Sequence, residues 1–138
     1  MKVLIDTNII LDWLQKREPF FSEAYHIMRQ CLSKSDLEGY VSSHSLCDVF
    51  FILRKEFSSE NRFQLIHFLS SHFNVIAETQ EDFIRVTTDP TAKDLEDGLQ
   101  MVCAEKEHLD YIITRNLEDY MCSEVPAISP KDFYRLAR

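Results

Sequence analysis

Short apolar runs separated by segments of helical period define the predicted architecture of this chain. The runs are rich in branched and aromatic residues, as in strands buried on both faces. They occur at Val3-Leu4-Ile5, Tyr40-Val41, Val75-Ile76, Tyr111-Ile112-Ile113 and Ala127-Ile128. Apolar residues that recur near every 3.6 positions predict helices between them, and strands that alternate with helices pair in parallel. We therefore expect an α/β fold in which helices cover both faces of a parallel sheet.

The composition fits a single domain over residues 1–138. With 45% hydrophobic and 28% charged residues, the chain can bury its own core, and two glycines and four prolines leave no flexible linker. The apolar runs are too short to cross a bilayer, so we expect no membrane segment and a cytoplasmic location. The four cysteines match neither a CxxC pair nor a dense disulfide framework, which predicts free, mostly buried thiols.

The net charge of −8 limits the ways in which the chain can bind nucleic acid. Phosphate binding over a whole surface needs a basic stripe, which this composition argues against. A nuclease site remains open, because carboxylates gathered around divalent cations are acidic in sequence and the bound metal inverts the local field.

Polar residues follow the predicted strands at the sheet edge where parallel folds bind ligands. Considered singly, each acid has an ordinary structural explanation as a helix-capping neighbour or a solvated helix residue. Together they supply the oxygen ligands that hard divalent cations prefer. The candidates are Asp6 and Asn8 after strand one, Asp48 in the next helix, Asp97 in the Asp94–Gly98 segment, and Thr114, Asn116 and Asp119 after strand four.

Four segments together resemble the PIN domain family, from Met1 to about Pro130. They read Val-Leu-Ile-Asp-Thr-Asn, Ser-Ser-His-Ser-Leu-Cys-Asp-Val-Phe, Leu-Glu-Asp-Gly-Leu-Gln and Tyr-Ile-Ile-Thr-Arg-Asn. The resemblance implies a three-layer α/β/α sandwich with a central parallel sheet of about five strands. It also implies a metal-dependent ribonuclease that leaves 5′-phosphate and 3′-hydroxyl ends, often the VapC-like toxin of a toxin–antitoxin pair. The implied partners are an RNA substrate, an antitoxin protein and a second copy of the chain.

The resemblance also implies roles for individual residues. Asp6, Asp48 and Asp97 would bind Mg²⁺ or Mn²⁺, Asn116 or Asp119 would be the variable fourth catalytic residue, and Asn8 and Thr114 would support substrate binding. The sequence departs from the family pattern at Asp48, where Glu is usual, and at Gly98, where another small residue is frequent. Asp48 is one methylene shorter than Glu, so it is expected to reach the metal through water.

Arg115 is a further candidate, because a guanidinium beside the acids can hold phosphate through two hydrogen bonds. A bound metal would lower the pKa of a water molecule and stabilise the leaving oxygen, so no histidine base is required. The five histidines show no HExxH motif and no Cys/His zinc spacing, and each is therefore predicted to be structural.

Other classes fit the sequence less well. A haloacid-dehalogenase-like phosphatase needs a second Asp where Asn8 stands, and a receiver domain needs acids and a lysine that are missing from the expected places. The competing hypothesis is a catalytically degenerate PIN-like binding module that acts through protein contacts. Its candidate surface is aromatic, although such residues are more often core: Trp13, Phe20-Phe21 and Phe50-Phe51.

Overall fold

The computed structural model describes residues 1–33 and 35–137. The strands are β1 (Lys2–Ile5), β2 (Glu38–Ser42), β3 (Asn74–Ile76), β4 (Tyr111–Ile113) and β5 (Ala127–Ile128). The helices are α1 (Thr7–Leu14), α2 (Phe21–Leu32), α3 (Ser43–Ile52), α4 (Ser59–His72), α5 (Gln80–Thr87), α6 (Leu95–Lys106) and α7 (Pro130–Ala137). Two short 3₁₀ helices cover Leu53–Lys55 and Leu117–Tyr120. All five predicted strands are present, which confirms the sequence interpretation.

The five strands form one parallel sheet in the order β3-β2-β1-β4-β5. The chain builds the sheet outward from β1 to β3 and then returns to add β4 on the other side of β1. The order therefore reverses between β1 and β4. Parallel sheets bind ligands outside the carboxyl ends of the strands at such a point, so this topology positions a site at the ends of β1 and β4.

Side chains of the central strands alternate between two apolar layers. Val3 and Ile5 face a core that contains buried residues of α1, α2, α3, α4 and α7, whereas Leu4 and Ile112 pack with Cys103 of α6 on the other face. Helices thus cover both faces of the sheet, and the expected α/β/α sandwich is confirmed.

Helix α6 begins at a fixed place because its first turn is capped and closely packed. The side chain of Asp94 accepts a hydrogen bond from the Asp97 backbone N–H at 2.9 Å. A Cβ on Gly98 would lie 2.5 Å from Cγ1 of Val86 in α5, so only glycine fits there without movement of the neighbouring helix. The cap and the close contact together set the position of Asp97.

Some expectations about burial are wrong. Phe51 is 60% exposed instead of lying in the core, and Cys47 and Cys122 are exposed although Cys31 and Cys103 are buried. The four thiols are free, as expected.

Among the described residues, no helix has both the length and the apolar character that crossing a membrane requires.

Candidate metal centre

A cleft of about 230 Å³ opens where the carboxyl ends of the central strands meet the first turns of the neighbouring helices. It brings together six of the candidate residues that the sequence places far apart: Asp6, Asn8, Asp48, Asp97, Asn116 and Asp119. Its remaining polar lining comes from Thr7, His44, Asp94, Glu96 and Gln100. The cleft is thus strongly acidic.

Asp6 lies at the inner wall of the cleft, directly after β1. Its side chain is 7% exposed and makes no capping hydrogen bond to α1. Instead, Thr114 Oγ1 donates to Asp6 Oδ2 at 2.7 Å, and Gln100 Nε2 approaches Asp6 Oδ1 at 3.4 Å. Burial raises the pKa of Asp6 by more than these hydrogen bonds lower it. The inner wall therefore holds a carboxylate that costs energy to ionise in the absence of a cation.

Thr114 positions Asp6 and Asn116 instead of lining the cleft. The residue follows β4 directly and is fully buried. Its Oγ1 accepts a hydrogen bond from the Asn116 backbone N–H at 3.0 Å while donating to Asp6. One hydroxyl therefore links the ends of β1 and β4, and the substrate-binding role predicted for Thr114 becomes one of positioning.

Asp97 and Asp119 form the second part of the inner group. Burial, together with the charges of Asp94, Asp119 and Asp6, raises the pKa of Asp97 to about 6. The hydroxyl of Tyr120 lies 3.4 Å from Asp97 Oδ1. This electrostatic coupling shows that Asp6, Asp97 and Asp119 share one region of the cleft.

Asp48 belongs to a second group at the outer wall of the cleft. Within the described part of the chain, one set of three side chains offers potential ligand atoms that all lie within 4.8 Å of one another: His44, Asp48 and Glu96. All three predicted metal-binding acids line the cleft, but Asp48 groups with His44 and Glu96 and not with Asp6 and Asp97. Sequence analysis did not identify His44 or Glu96, although the spacing of His44 and Asp48 by four residues on α3 places them on one helix face.

The donor set of the inner wall fits a hard divalent cation. Three carboxylates supply oxygen ligands, and Oε1 of Gln100 is buried without a hydrogen-bond partner among the described residues. Buried polar atoms are normally satisfied by protein, water or an ion. The orphaned oxygen and the unfavourable ionisation of Asp6 and Asp97 are both features that a bound cation would relieve.

Arg115 is not among the lining residues of this cleft, and its predicted contact with phosphate stays a prediction. Its guanidinium donates through Nε and Nη2 to the fully buried Asp12 carboxylate at 2.7 and 3.1 Å. The same group stacks 3.9 Å above the ring of Phe20. The N–H edge of the guanidinium thus binds Asp12 and one planar face packs on Phe20, so Arg115 stabilises the chain beside the site.

Comparison with solved structures shows the same fold. A toxin–antitoxin complex from Klebsiella pneumoniae is 23% identical, with a TM-score of 0.67 over 93% of this chain and 97% of that chain. VapBC from Salmonella typhimurium, bound to DNA, is 17% identical, with a TM-score of 0.67 over 94% and 98%. The sarcin–ricin loop cleaving toxin VapC20 from Mycobacterium tuberculosis is 12% identical, with a TM-score of 0.63 over 80% and 86%.

Sequence comparison identifies the family. No curated protein sequence matches the chain significantly. The family model described as the PIN domain matches residues 2–118, which include Asp6 and Asp97 of the inner group and the whole outer group of the cleft. This match confirms the resemblance carried by the four sequence segments. Because the matched segment spans most of the chain, the protein belongs to the PIN domain family.

Proposed function

We propose that this PIN domain is a metal-dependent endoribonuclease that hydrolyses RNA phosphodiester bonds in its acidic cleft. The observation that carries the proposal is the convergence of Asp6, Asp97 and Asp119, whose mutual repulsion helps to raise the pKa of Asp97 to about 6. Such repulsion destabilises a folded protein and is typical of sites that bind cations or perform chemistry. It favours the enzyme over the degenerate binding module.

Each cleft residue has a role in this proposal. Asp6 and Asp97 hold Mg²⁺ or Mn²⁺, with Asp48 across the cleft as the third acid and Asn116 or Asp119 as the fourth catalytic residue. A divalent ion bound there supplies an acidified water and offsets the charge of the reacting phosphate. Thr114 and Gln100 orient Asp6 through their hydrogen bonds. Asn8, at the mouth of the cleft, offers an amide donor to a phosphate or ribose oxygen.

The acidity of the cleft makes RNA binding dependent on the cation. The chain has a net charge of −8, and the described residues that line the cleft include no lysine or arginine. An RNA phosphate therefore meets repulsion until a divalent ion inverts the local field. We expect RNA to bind the cation-loaded protein and to bind the EDTA-treated protein only weakly.

A protein partner is the second part of the proposal. Two structural relatives are described as toxin–antitoxin and VapBC complexes. In this chain the hairpin of α3 and α4 exposes large apolar side chains, with Phe51 60% and Phe63 66% exposed. Exposed aromatic groups of this kind are favourable contacts for a protein partner. We propose that the partner is an antitoxin protein, and that the chain also forms a homodimer.

The direct test is cleavage of single-stranded and hairpin RNA by the purified chain with Mg²⁺ or Mn²⁺. Asp6→Asn should abolish cleavage, because it removes a charge that the ion needs while keeping the shape of the side chain. Asp36→Asn is the matched control, since Asp36 is exposed and precedes β2 at the opposite edge of the sheet. Circular dichroism verifies that both variants fold. Equal cleavage by the parent and Asp6→Asn would remove Asp6 from the site and refute the proposed mechanism.

A further inference from the structure

We infer that the cleft contains a second cation site, formed by His44, Asp48 and Glu96, which prefers a divalent transition-metal ion to Mg²⁺. The potential ligand atoms of these three side chains lie within 4.8 Å of one another, close enough to converge on one ion. The inference deepens the proposed function because this site shares the cleft with the inner carboxylates, but its test does not depend on RNA.

His44 is held in the orientation that metal-binding histidines commonly have. Glu78 Oε2 accepts a hydrogen bond from His44 Nδ1 at 2.6 Å, and Glu78 Oε1 accepts from the Ser43 hydroxyl and the His44 backbone N–H, both at 2.6 Å. The Glu78 side chain is only 4% exposed, so its position is fixed. A carboxylate that holds one ring nitrogen leaves the other, Nε2, as the nitrogen available for an ion.

The two acids of the site repel each other when no cation is bound. Both carboxylates belong to the set whose potential ligand atoms lie within 4.8 Å of one another, so two like charges face each other at short range. One helical turn beyond Glu96 lies Gln100, whose buried Oε1 has no hydrogen-bond partner among the described residues and which lines the same cleft. Two neighbouring carboxylates and an unsatisfied buried oxygen thus occur in the same cleft.

The ligand chemistry selects the class of ion. Mg²⁺ prefers six oxygen ligands, whereas an imidazole nitrogen binds transition-metal ions better. His44 also compensates for the short side chain of Asp48. It lies one turn earlier on the same face of α3, so it supplies a second ligand from this helix where a longer glutamate is usual in the family.

The test measures ion binding spectroscopically, with Mn²⁺ as the probe. The chain is stripped with EDTA, desalted and titrated with Mn²⁺ by electron paramagnetic resonance and calorimetry. Pulsed spectra then report whether a nitrogen nucleus is bound directly to manganese. We expect nitrogen coupling in the parent and its loss in His44→Asn, in which the amide can still donate to Glu78 but Nε2 is gone.

Three further variants complete the design. Glu78→Gln should weaken the nitrogen-coupled ion roughly tenfold, because it disturbs the residue that orients the ligand. His67→Asn, which removes an exposed imidazole of α4, should leave the spectrum unchanged. Asp6→Asn should remove the inner ion and retain the nitrogen coupling.

The outcomes separate this inference from the proposed function. Absence of nitrogen coupling in the parent at saturating Mn²⁺, or its persistence in His44→Asn, would overturn the second site. Nitrogen coupling without any RNA cleavage would support the second site and count against the ribonuclease. RNA cleavage without nitrogen coupling would support the ribonuclease and overturn the second site.

Discussion

Replacing Asp97 by asparagine should stabilise the cation-free protein. Burial and the charges of Asp94, Asp119 and Asp6 raise the pKa of Asp97 from 3.8 to about 6. That difference corresponds to about 3 kcal/mol of free energy, which solvent around this half-buried side chain reduces to about 1 kcal/mol. In a domain of this size we expect the melting temperature to rise by about 3 °C at pH 7.5 in EDTA.

The pH dependence identifies the origin of the effect. Because the folded pKa of Asp97 lies above its unfolded value, the stability that its proton provides is fully present below about pH 4 and is lost as the pH rises to about 6. The increase in melting temperature of Asp97→Asn over the parent should therefore appear between pH 4 and 6 and remain constant above pH 6. Asp36→Asn should show no such pattern.

Thermal unfolding of the three proteins in EDTA, followed by circular dichroism from pH 4 to 8, provides the measurement. Identical melting temperatures of the parent and Asp97→Asn at pH 7.5 would contradict the electrostatic explanation. An advantage that persists unchanged at pH 4 would also contradict it, since Asp97 is then protonated and the asparagine must act through packing.

Three other outcomes are expected. Millimolar Mg²⁺ or Mn²⁺ should raise the melting temperature of the parent, because ion binding at a hundredfold excess over Kd adds about 2.7 kcal/mol to the free energy of unfolding. EDTA should abolish RNA cleavage. No thermal shift with either ion would favour the binding module. Gly98→Ala should lower the free energy of unfolding in urea by about 1–3 kcal/mol, because the new methyl group overlaps Val86. Arg115→Ala should destabilise the protein by about 1–3 kcal/mol, because Asp12 loses its bidentate partner and keeps only the longer contact to Arg17 at 3.7 Å; a loss of RNA affinity with unchanged stability would support the phosphate-binding role instead.

The fold was largely predictable because its strands carry a strong local signal. The apolar runs around Leu4 and Ile112 are buried on both faces of the sheet, so they stand out from the amphipathic helices. Helix α7 escaped prediction, since among its described side chains only Pro130 and Phe133 are buried and two such positions are too few to establish a period. The exposure of Phe51 was not predictable either, because hydrophobicity indicates burial without revealing which faces lack a neighbour.

Part of the candidate site was predictable because parallel sheets bind ligands outside the carboxyl ends of their strands. The part that depends on pairing between distant side chains was not predictable. The rule correctly placed Asp6 and the residues after β4 at one edge. It could not show that Arg115 pairs with Asp12, 103 positions away, or that Glu78 after β3 fixes His44. Such pairs leave no characteristic spacing in the sequence. A histidine without a zinc motif is therefore predicted to be structural, as His44 is. The metal ligands themselves stay predictions.

The hydrogen bond between Thr114 and Asp6 spans 108 positions of sequence, and this separation determines when the cleft can form during translation. Strands β1 to β3 can pair once residue 76 has been made, but β4 joins β1 only after residue 113. Because the ribosome adds roughly 5–20 residues per second, Thr114 is synthesised several seconds after Asp6. A nascent chain that has not yet reached Thr114 therefore lacks the hydrogen bond that orients Asp6 and has no complete cleft.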